Sequence, residues 1–447
     1  MNHVPRGRHT PCVAEATRKQ VPGVLLLYRR PLSRWFADAS TIDEHIAAFA
    51  RHSRFTVHLC NTELGHPSGL DRSRFDAVVL HYSLFGGGAD GYPFSPRFER
   101  ALDESTYKVA FFHDEHTHCG QRFEFLNAHR IDCVFTCLEE PEFGAVYGAY
   151  TEVPVLVSHL PGYVSESMER MPPAPPEAER PLDVGFRARP LAPYMGPDDK
   201  AEMGRGFAER AAGTGLATDI EVSDQSLLPG ESWFEFMGSA RAMLGVESGT
   251  RTFDLEDEML RDFERAAAER GGPGNVSLDD LDPAALARWT DKVRYRTIGP
   301  RHFEAAAMRV CQVLFEGEYS GLMEPMRHYI PLKRDFSNFD EVVERIRDEG
   351  LRRELAENAH RDLVASGRHT YASLIAKLDA VLAEAGIEPG GGPSTELAKR
   401  ALHRGPVALA AQRARSWLSY NPVASRLLWR VSRPVLGAWR ALTRQRR

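Results

Sequence analysis

The sequence predicts an α/β protein made of two doubly wound domains in series, followed by a basic helical tail. Three observations carry that prediction. Two successive series of short apolar runs alternate with helix-length segments, a proline-rich stretch from Met171 to Pro181 separates them, and a Pro-Gly-Gly-Gly-Pro run at 389–393 sets off a positively charged C-terminus. Apolar runs with little polar alternation are how strands covered on both faces of a parallel sheet read, and parallel strands need helix-length connections.

The first series places strands over 24–28, 55–59, 77–82, 109–113, 133–137 and 153–158. A first domain therefore covers 23–165, after a polar N-terminal tail at 1–22. Residues 166–181 form a linker, because its prolines fit neither a helix interior nor a central strand. The second series reads strand 182–186, helix 200–212, strand 218–222, helix 233–240, strand 242–246, helix 257–268, a helix opening at Pro300 and a buried strand over 310–315. Proline suits that first helical position, where its missing N–H costs no hydrogen bond. Helices over 339–349, 351–366 and 371–385 close a second domain at 182–386, and a Gly/Pro linker with a basic amphipathic tail fills 387–447.

A chain of 447 residues with 43% apolar content is long enough for two sizeable cores. Cys12, Cys60, Cys119, Cys133, Cys137 and Cys311 lack a paired zinc-ribbon spacing, which points to reduced thiols and a cytoplasmic protein. No apolar window reaches transmembrane length and the N-terminus lacks the apolar core of a signal peptide. The net charge of −6 conceals an asymmetry: 394–447 carries 12 Lys and Arg against one acid, a charge of +11 set against −17 for the remainder.

The densest signal is Gly299-Pro300-Arg301-His302-Phe303-Glu304-Ala305, leading into the strand that ends at Phe315. A helix start exposes unpaired backbone N–H groups, here beside Arg301, His302 and Glu304, and so suits a phosphorylated, hydroxylated ligand. With the downstream run His328-Tyr329-Ile330-Pro331-Leu332-Lys333-Arg334-Asp335-Phe336, it resembles the second domain of bacterial group 1 glycosyltransferases. The resemblance extends over about 23–385 and implies two Rossmann-like domains of the glycosyltransferase B type with a ligand cleft between them.

What the resemblance implies about function is a transferase that moves a hexosyl or related sugar from a nucleotide-diphosphate sugar to a glycan, a lipid-linked intermediate or another acceptor. Polysaccharide or glycoconjugate biosynthesis, retained anomeric configuration and no required cofactor or metal go with it. In such enzymes the later of two glutamates eight positions apart holds the donor ribose; Glu304 takes that place, and Arg296 stands where the earlier one belongs. A basic group after the first strand of the donor domain, here Arg187 and Arg189, and Lys200 near the next helix start are implied diphosphate contacts, with Arg189 preferred, because fixed cations stabilise the charge that develops on the leaving group. Glu247-Ser248-Gly249-Thr250, a small hydroxyl-rich turn, is implied to line the donor pocket.

On the acceptor side, His113-Asp114-Glu115-His116-Thr117-His118 follows a predicted strand. Three histidines and two acids invite a metal, but neither a His-Glu-x-x-His pattern nor a second ligand cluster accompanies them. They read as cleft-lining groups that orient the acceptor hydroxyl, with Asp114 or Glu115 as candidate base. His81-Tyr82-Ser83 and Gly86-Gly87-Gly88 are expected on the same side. In the tail, Leu427, Leu428, Val431, Val435, Leu436, Trp439 and Leu442 fall at helical spacing among arginines, which suits an anionic membrane surface on the inner face of the membrane better than nucleic acid. Two other readings share this fold: a noncatalytic sugar-nucleotide or glycan-binding protein, and a nucleotide-sugar epimerase.

Overall fold

A computed structural model describes residues 23–30, 40–64, 75–85, 102, 107–226, 228, 230–390 and 392–396. The polar tail at 1–22, the run Gly86-Gly87-Gly88 and the basic segment at 397–447 lie outside the described residues. In chain order the first part contains β1 (Val24–Tyr28), α1 (Ser40–His52), β2 (Val57–Asn61), β3 (Ala77–Leu80), β4 (Tyr107–Phe111), α2 (Cys119–Ala128), β5 (Cys133–Thr136), β6 (Val155–Ser158) and α3 (Glu166–Glu169). The second contains β7 (Leu182–Ala188), α4 (Asp199–Ala211), β8 (Thr218–Val222), α5 (Glu231–Gly238), β9 (Ala240–Gly245), β10 (Ser248–Thr252), α6 (Glu258–Glu269), α7 (Pro283–Trp289), β11 (Thr290–Thr297), α8 (Pro300–Ala307), β12 (Cys311–Phe315), β13 (Ile330–Leu332), α9 (Phe339–Arg347), α10 (Glu349–Ala359), α11 (Tyr371–Glu384) and β14 (Thr395–Glu396).

Both expected parallel sheets form, in the orders β14-β2-β1-β3-β4-β5-β6 and β13-β12-β9-β7-β8. Along β1, Leu25 and Leu27 enter one apolar cluster with Phe123 and Leu126 of α2, while Val24, Leu26 and Tyr28 enter another with Phe49 of α1. That two-sided burial is why the strand reads as an unbroken apolar run, and each such side chain contributes about 1.5–3 kcal/mol. Strand order reverses beside the first strand of each sheet: β1 lies between β2 and β3, and β7 between β8 and β9. In open α/β sheets the crevice beyond the carboxyl ends at such a reversal is where ligands bind.

Three features depart from the expected layout. First, α11, grouped by sequence with the second domain, buries Leu374, Ile375, Leu378 and Leu382 in the cluster under β1. Its Asp379 accepts from Ser53 Oγ at 2.6 Å and from the Arg54 N–H at 2.9 Å, fixing it to the end of α1. Periodicity identifies a buried helical face without naming what buries it.

Second, β10 and β11 form an antiparallel pair of their own, and with α6 and α7 they pack Phe253, Met259, Trp289 and Tyr295 into the cluster that holds Phe123 and Val134 of the first domain. The segment read as a turn at 247–250 is therefore mostly strand. Third, the chain crosses back after α11 and adds β14 in parallel beside β2, with Thr395 opposite His58 and Glu396 opposite Leu59. The parallel register puts the carboxyl end of β14 at the cleft end of the first sheet. Part of the expected 387–447 linker is thus sheet edge.

Candidate active site

The second domain supplies the cationic side of the cleft. Arg189, one residue past β7, is exposed and makes no ion pair or hydrogen bond among the described residues. Lys200 sits in the first turn of α4, where Asp198 caps the helix by accepting from the Lys200 and Ala201 N–H groups at 3.0 Å each. Its ammonium has no hydrogen-bond partner among the described residues; burial and then the Arg301 guanidinium lower its pKa, against the pull of Asp198 and Asp114. Arg301, in the first turn of α8, lies over the Trp233 ring at 4.8 Å and donates to the Arg187 carbonyl. Burial lowers its pKa as well, with Arg189 adding to the effect and Glu304 opposing it. Arg189, Lys200 and Arg301 thus converge closely enough to repel one another.

Arg187 is different. Its side chain donates to the Asp219 carboxylate at 2.7 Å and to the Asp219 carbonyl at 3.1 Å, and it covers Phe236 at 4.0 Å. Alternation along β7 puts it on the sheet face that Phe236 covers, beside Asp219 of the adjacent β8. The expected diphosphate contact at Arg187 is corrected to a strand-to-strand ion pair.

Glu304 is 6% exposed, and its Oε2 accepts the Trp233 indole N–H at 2.8 Å. Burial raises its pKa, while that N–H and Arg301 act in the opposite direction. His302 is buried at the start of the same helix, where its Nδ1 accepts from the Gly299 N–H at 2.9 Å and burial brings its pKa down to about 4. Pro300 closes this helix start against the first domain: a Cβ on Gly162 would meet its ring at 2.6 Å.

The three residues expected to line the donor pocket make local packing contacts, and Glu247 and Gly249 share the lining of one small cavity with Lys200. Glu247 accepts from the Glu318 and Tyr319 N–H groups at 3.2 and 2.9 Å and pairs with Arg294 at 3.5 Å. A Cβ on Gly249, whose φ is +96°, would lie 2.0 Å from the Tyr295 carbonyl, so the glycine lets β10 approach β11. Ser248 presses on Gly299, where a Cβ would lie 2.0 Å from its Oγ. Arg296, at the place of the missing glutamate, is held on β11 by Asp291.

Across the cleft, the loop after β4 separates its two acids. Asp114 adopts a left-handed φ of 52°, and its side chain is 82% exposed, 3.7 Å from His113 Nδ1. It lies within the electrostatic reach of His116 and Lys200. Glu115 points inward: its carboxylate accepts from Thr136 Oγ1 at 2.7 Å, from the Cys137 N–H at 2.6 Å and from the Tyr147 hydroxyl. With no exposed surface and its oxygens so engaged, Glu115 is corrected from candidate base to structural carboxylate. His113 donates from Nε2 to the Pro161 carbonyl at 2.9 Å and stacks on Tyr82 at 4.9 Å. His116 is buried with Nδ1 unpartnered among the described residues. No group of three metal-ligating side chains assembles among the described residues.

Residues that the motifs did not indicate hold this loop and the opposite wall. Asp257, just before α6, caps α2 by accepting from the Cys119 and Gly120 N–H groups at 2.8 and 3.0 Å, and Tyr295 accepts from the Glu115 N–H at 3.0 Å. Trp233 positions both Glu304 and Arg301. These contacts join residues far apart in sequence, which no local spacing signals.

No protein-family model matches the chain, and no curated protein matches it. Among solved structures it is similar to an alpha-glucosyltransferase in complex with UDP and a 13-mer DNA, at 11% identity over 81% of this chain and 99% of that one, with a TM-score of 0.49. Similarity extends to alpha,alpha-trehalose 6-phosphate synthase from Burkholderia multivorans (12% identity, 84% and 100% covered, TM-score 0.41). TarM is matched at 12% identity over 70% of this chain and 55% of that one, with a TM-score of 0.38, so the chain spans little more than half its length. At such distances the functional reading rests on the residues of the cleft.

Proposed function

We propose that the chain is a glycosyltransferase that moves a sugar from a nucleotide-diphosphate donor to a glycan, lipid-linked or other acceptor. One observation carries the reading: Arg189, Lys200 and Arg301 converge at the start of α8 with only partial neutralisation, facing Asp114 and His116 from the other domain. Converging cations beside helix N–H groups are electrostatically complete only with an anion between them, and a diphosphate leaving group is one. Glu304 takes the ribose hydroxyls and the three cations take the diphosphate. As the acceptor oxygen bonds to the anomeric carbon, the bond to the phosphate oxygen breaks, and its electron pair leaves with the diphosphate. Asp114 orients the acceptor hydroxyl and takes its proton as the new bond forms. Anomeric retention and independence from added metal follow from the family resemblance.

A thermal-shift screen of nucleotide sugars, followed by assay of donor hydrolysis, tests the proposal. Stabilisation by one nucleotide class together with slow hydrolysis is expected; stabilisation without turnover would favour a binding protein, and inversion at C2 an epimerase. EDTA should leave transfer intact, and activity restored only by an added metal would overturn the metal-independent reading. No helix among the described residues is long and apolar enough to cross a membrane. The basic segment at 397–447 leaves β14 at the cleft end of the first sheet, which supports its holding the acceptor side at an anionic membrane surface. Cosedimentation with anionic vesicles by the full chain, lost in a chain ending at Glu396, is expected; equal binding by both would remove the tail from this role.

A further inference from the structure

One buried polar atom at the start of α8 has no partner among the described residues, and its chemistry narrows what can satisfy it. His302 is 4% exposed. The Gly299 N–H points at its Nδ1 at 2.9 Å, and a ring nitrogen that accepts a hydrogen bond carries no proton, so the ring proton sits on Nε2. The Gly299 carbonyl, 3.2 Å from the same Nδ1, also accepts the His302 backbone N–H at 3.1 Å, and it is the Gly299 N–H aimed at Nδ1 that assigns the ring proton to Nε2.

Nε2 has no acceptor among the described residues. It lies against Gly245, the last residue of β9, where an added Cβ would come within 3.5 Å, and the ring meets Tyr319 edge-on at 5.1 Å. Both Arg301 and Lys200 act on this ring and oppose its protonation. A buried N–H without an acceptor is unfavourable, and a group that completes it beside two cations is an anionic oxygen.

We propose that neutral His302 donates its Nε2–H to a phosphate oxygen of a bound nucleoside diphosphate, while its Nδ1 serves as the cap of α8. This rests on the donor-cleft reading above and gives one side chain two separable tasks. His302→Asn places a carboxamide oxygen where Nδ1 accepts and nothing where Nε2 donates. His302→Gln reaches the Nε2 position with an amide N–H and leaves the Gly299 N–H without its acceptor.

Calorimetric titration of both variants with ADP, GDP, UDP and inorganic pyrophosphate separates the tasks. His302→Asn should melt near the wild type yet bind the preferred diphosphate and pyrophosphate about tenfold or more weakly, the loss of one hydrogen bond to a charged group. His302→Gln should melt lower and retain most of the affinity. Unchanged affinity in His302→Asn, with affinity lost in Lys200→Ala, would overturn the role of His302 alone; absence of any diphosphate binding by the wild type would overturn the donor-cleft reading with it. Should the variants fail to fold, histidine-labelled wild type read by proton–nitrogen correlation should show one Nε2–H resonance shifting on addition of diphosphate, and no shift would contradict the proposal.

Discussion

In the loop after β4, Glu115 turns into the protein and accepts from Thr136, Cys137 and Tyr147, so the first domain uses that acid to hold its own wall. Across the cleft the second domain does the reverse. Arg189 and Lys200 are left without ion-pair partners among the described residues, and Arg301 rests on an indole and a carbonyl instead of a carboxylate. The difference teaches that charge density in a sequence marks a site only where the fold leaves the charge unneutralised. Arg187 and Arg189 make the same point two residues apart: one faces Asp219, and the other is exposed past the strand end.

The largest expected effect breaks the first wall. Glu115→Ala leaves buried donors on Thr136, Cys137 and Tyr147 without their acceptor and should cost about 3–5 kcal/mol of unfolding free energy by urea titration. The exposed neighbour Asp114→Asn should change stability by less than about 0.5 kcal/mol while slowing transfer. Equal destabilisation by the two would erase the contrast drawn between them.

On the opposite wall, Arg189→Ala should lose about 2–4 kcal/mol of transition-state stabilisation, read as turnover at saturating donor, with an unchanged melting temperature. Turnover near wild type would remove Arg189 from the leaving-group site. Glu304→Gln keeps an oxygen for the Trp233 N–H and should fold normally, with donor affinity weakened by about 1–2 kcal/mol. Calorimetry giving wild-type affinity would leave Glu304 a purely structural partner of Trp233.

A smaller and more gradual effect tests the buried histidines on both walls. Burial lowers His81 to about 3 and both His116 and His302 to about 4, from an unfolded value of 6.5. Between those values the unfolded chain binds more protons than the folded one. Their contribution is therefore complete above pH 6.5 and is lost as pH falls from 6.5 toward 4, each ring adding a slope of up to about 1.4 kcal/mol per pH unit. Urea midpoints should fall from pH 6.5 to pH 5; a midpoint that rises over that interval would contradict the burial of these rings as neutral groups.

The strands at Val24–Tyr28 and Thr218–Val222 and the Pro300 helix start were legible because local pattern specifies them. The antiparallel pair β10/β11 was not. Its strands are polar, and they pair residues such as Thr250 and Tyr295 across an intervening pair of helices. β13 carries Pro331 and forms the edge of its sheet, which weakens its strand signal. At the site, residue type and motif placed Arg301, His302 and Glu304 together, yet sequence gives no sign of which acid in Asp114-Glu115 turns inward. That choice is made by the left-handed backbone at Asp114 and by Tyr295 holding the next N–H from another segment. Trp233 escaped notice for the same reason: its two partners lie about 70 residues downstream.

Lys200 carries the central claim most directly, since its ammonium lies among Arg301, Arg189 and Asp114 with no hydrogen-bond partner of its own among the described residues. Calorimetric titration of the wild type and Lys200→Ala with the preferred nucleoside diphosphate should show saturable binding by the first and affinity weaker by about tenfold or more in the second, with equal melting temperatures. Equal affinity in the two proteins, or no binding by the wild type, would contradict a diphosphate site between these cations.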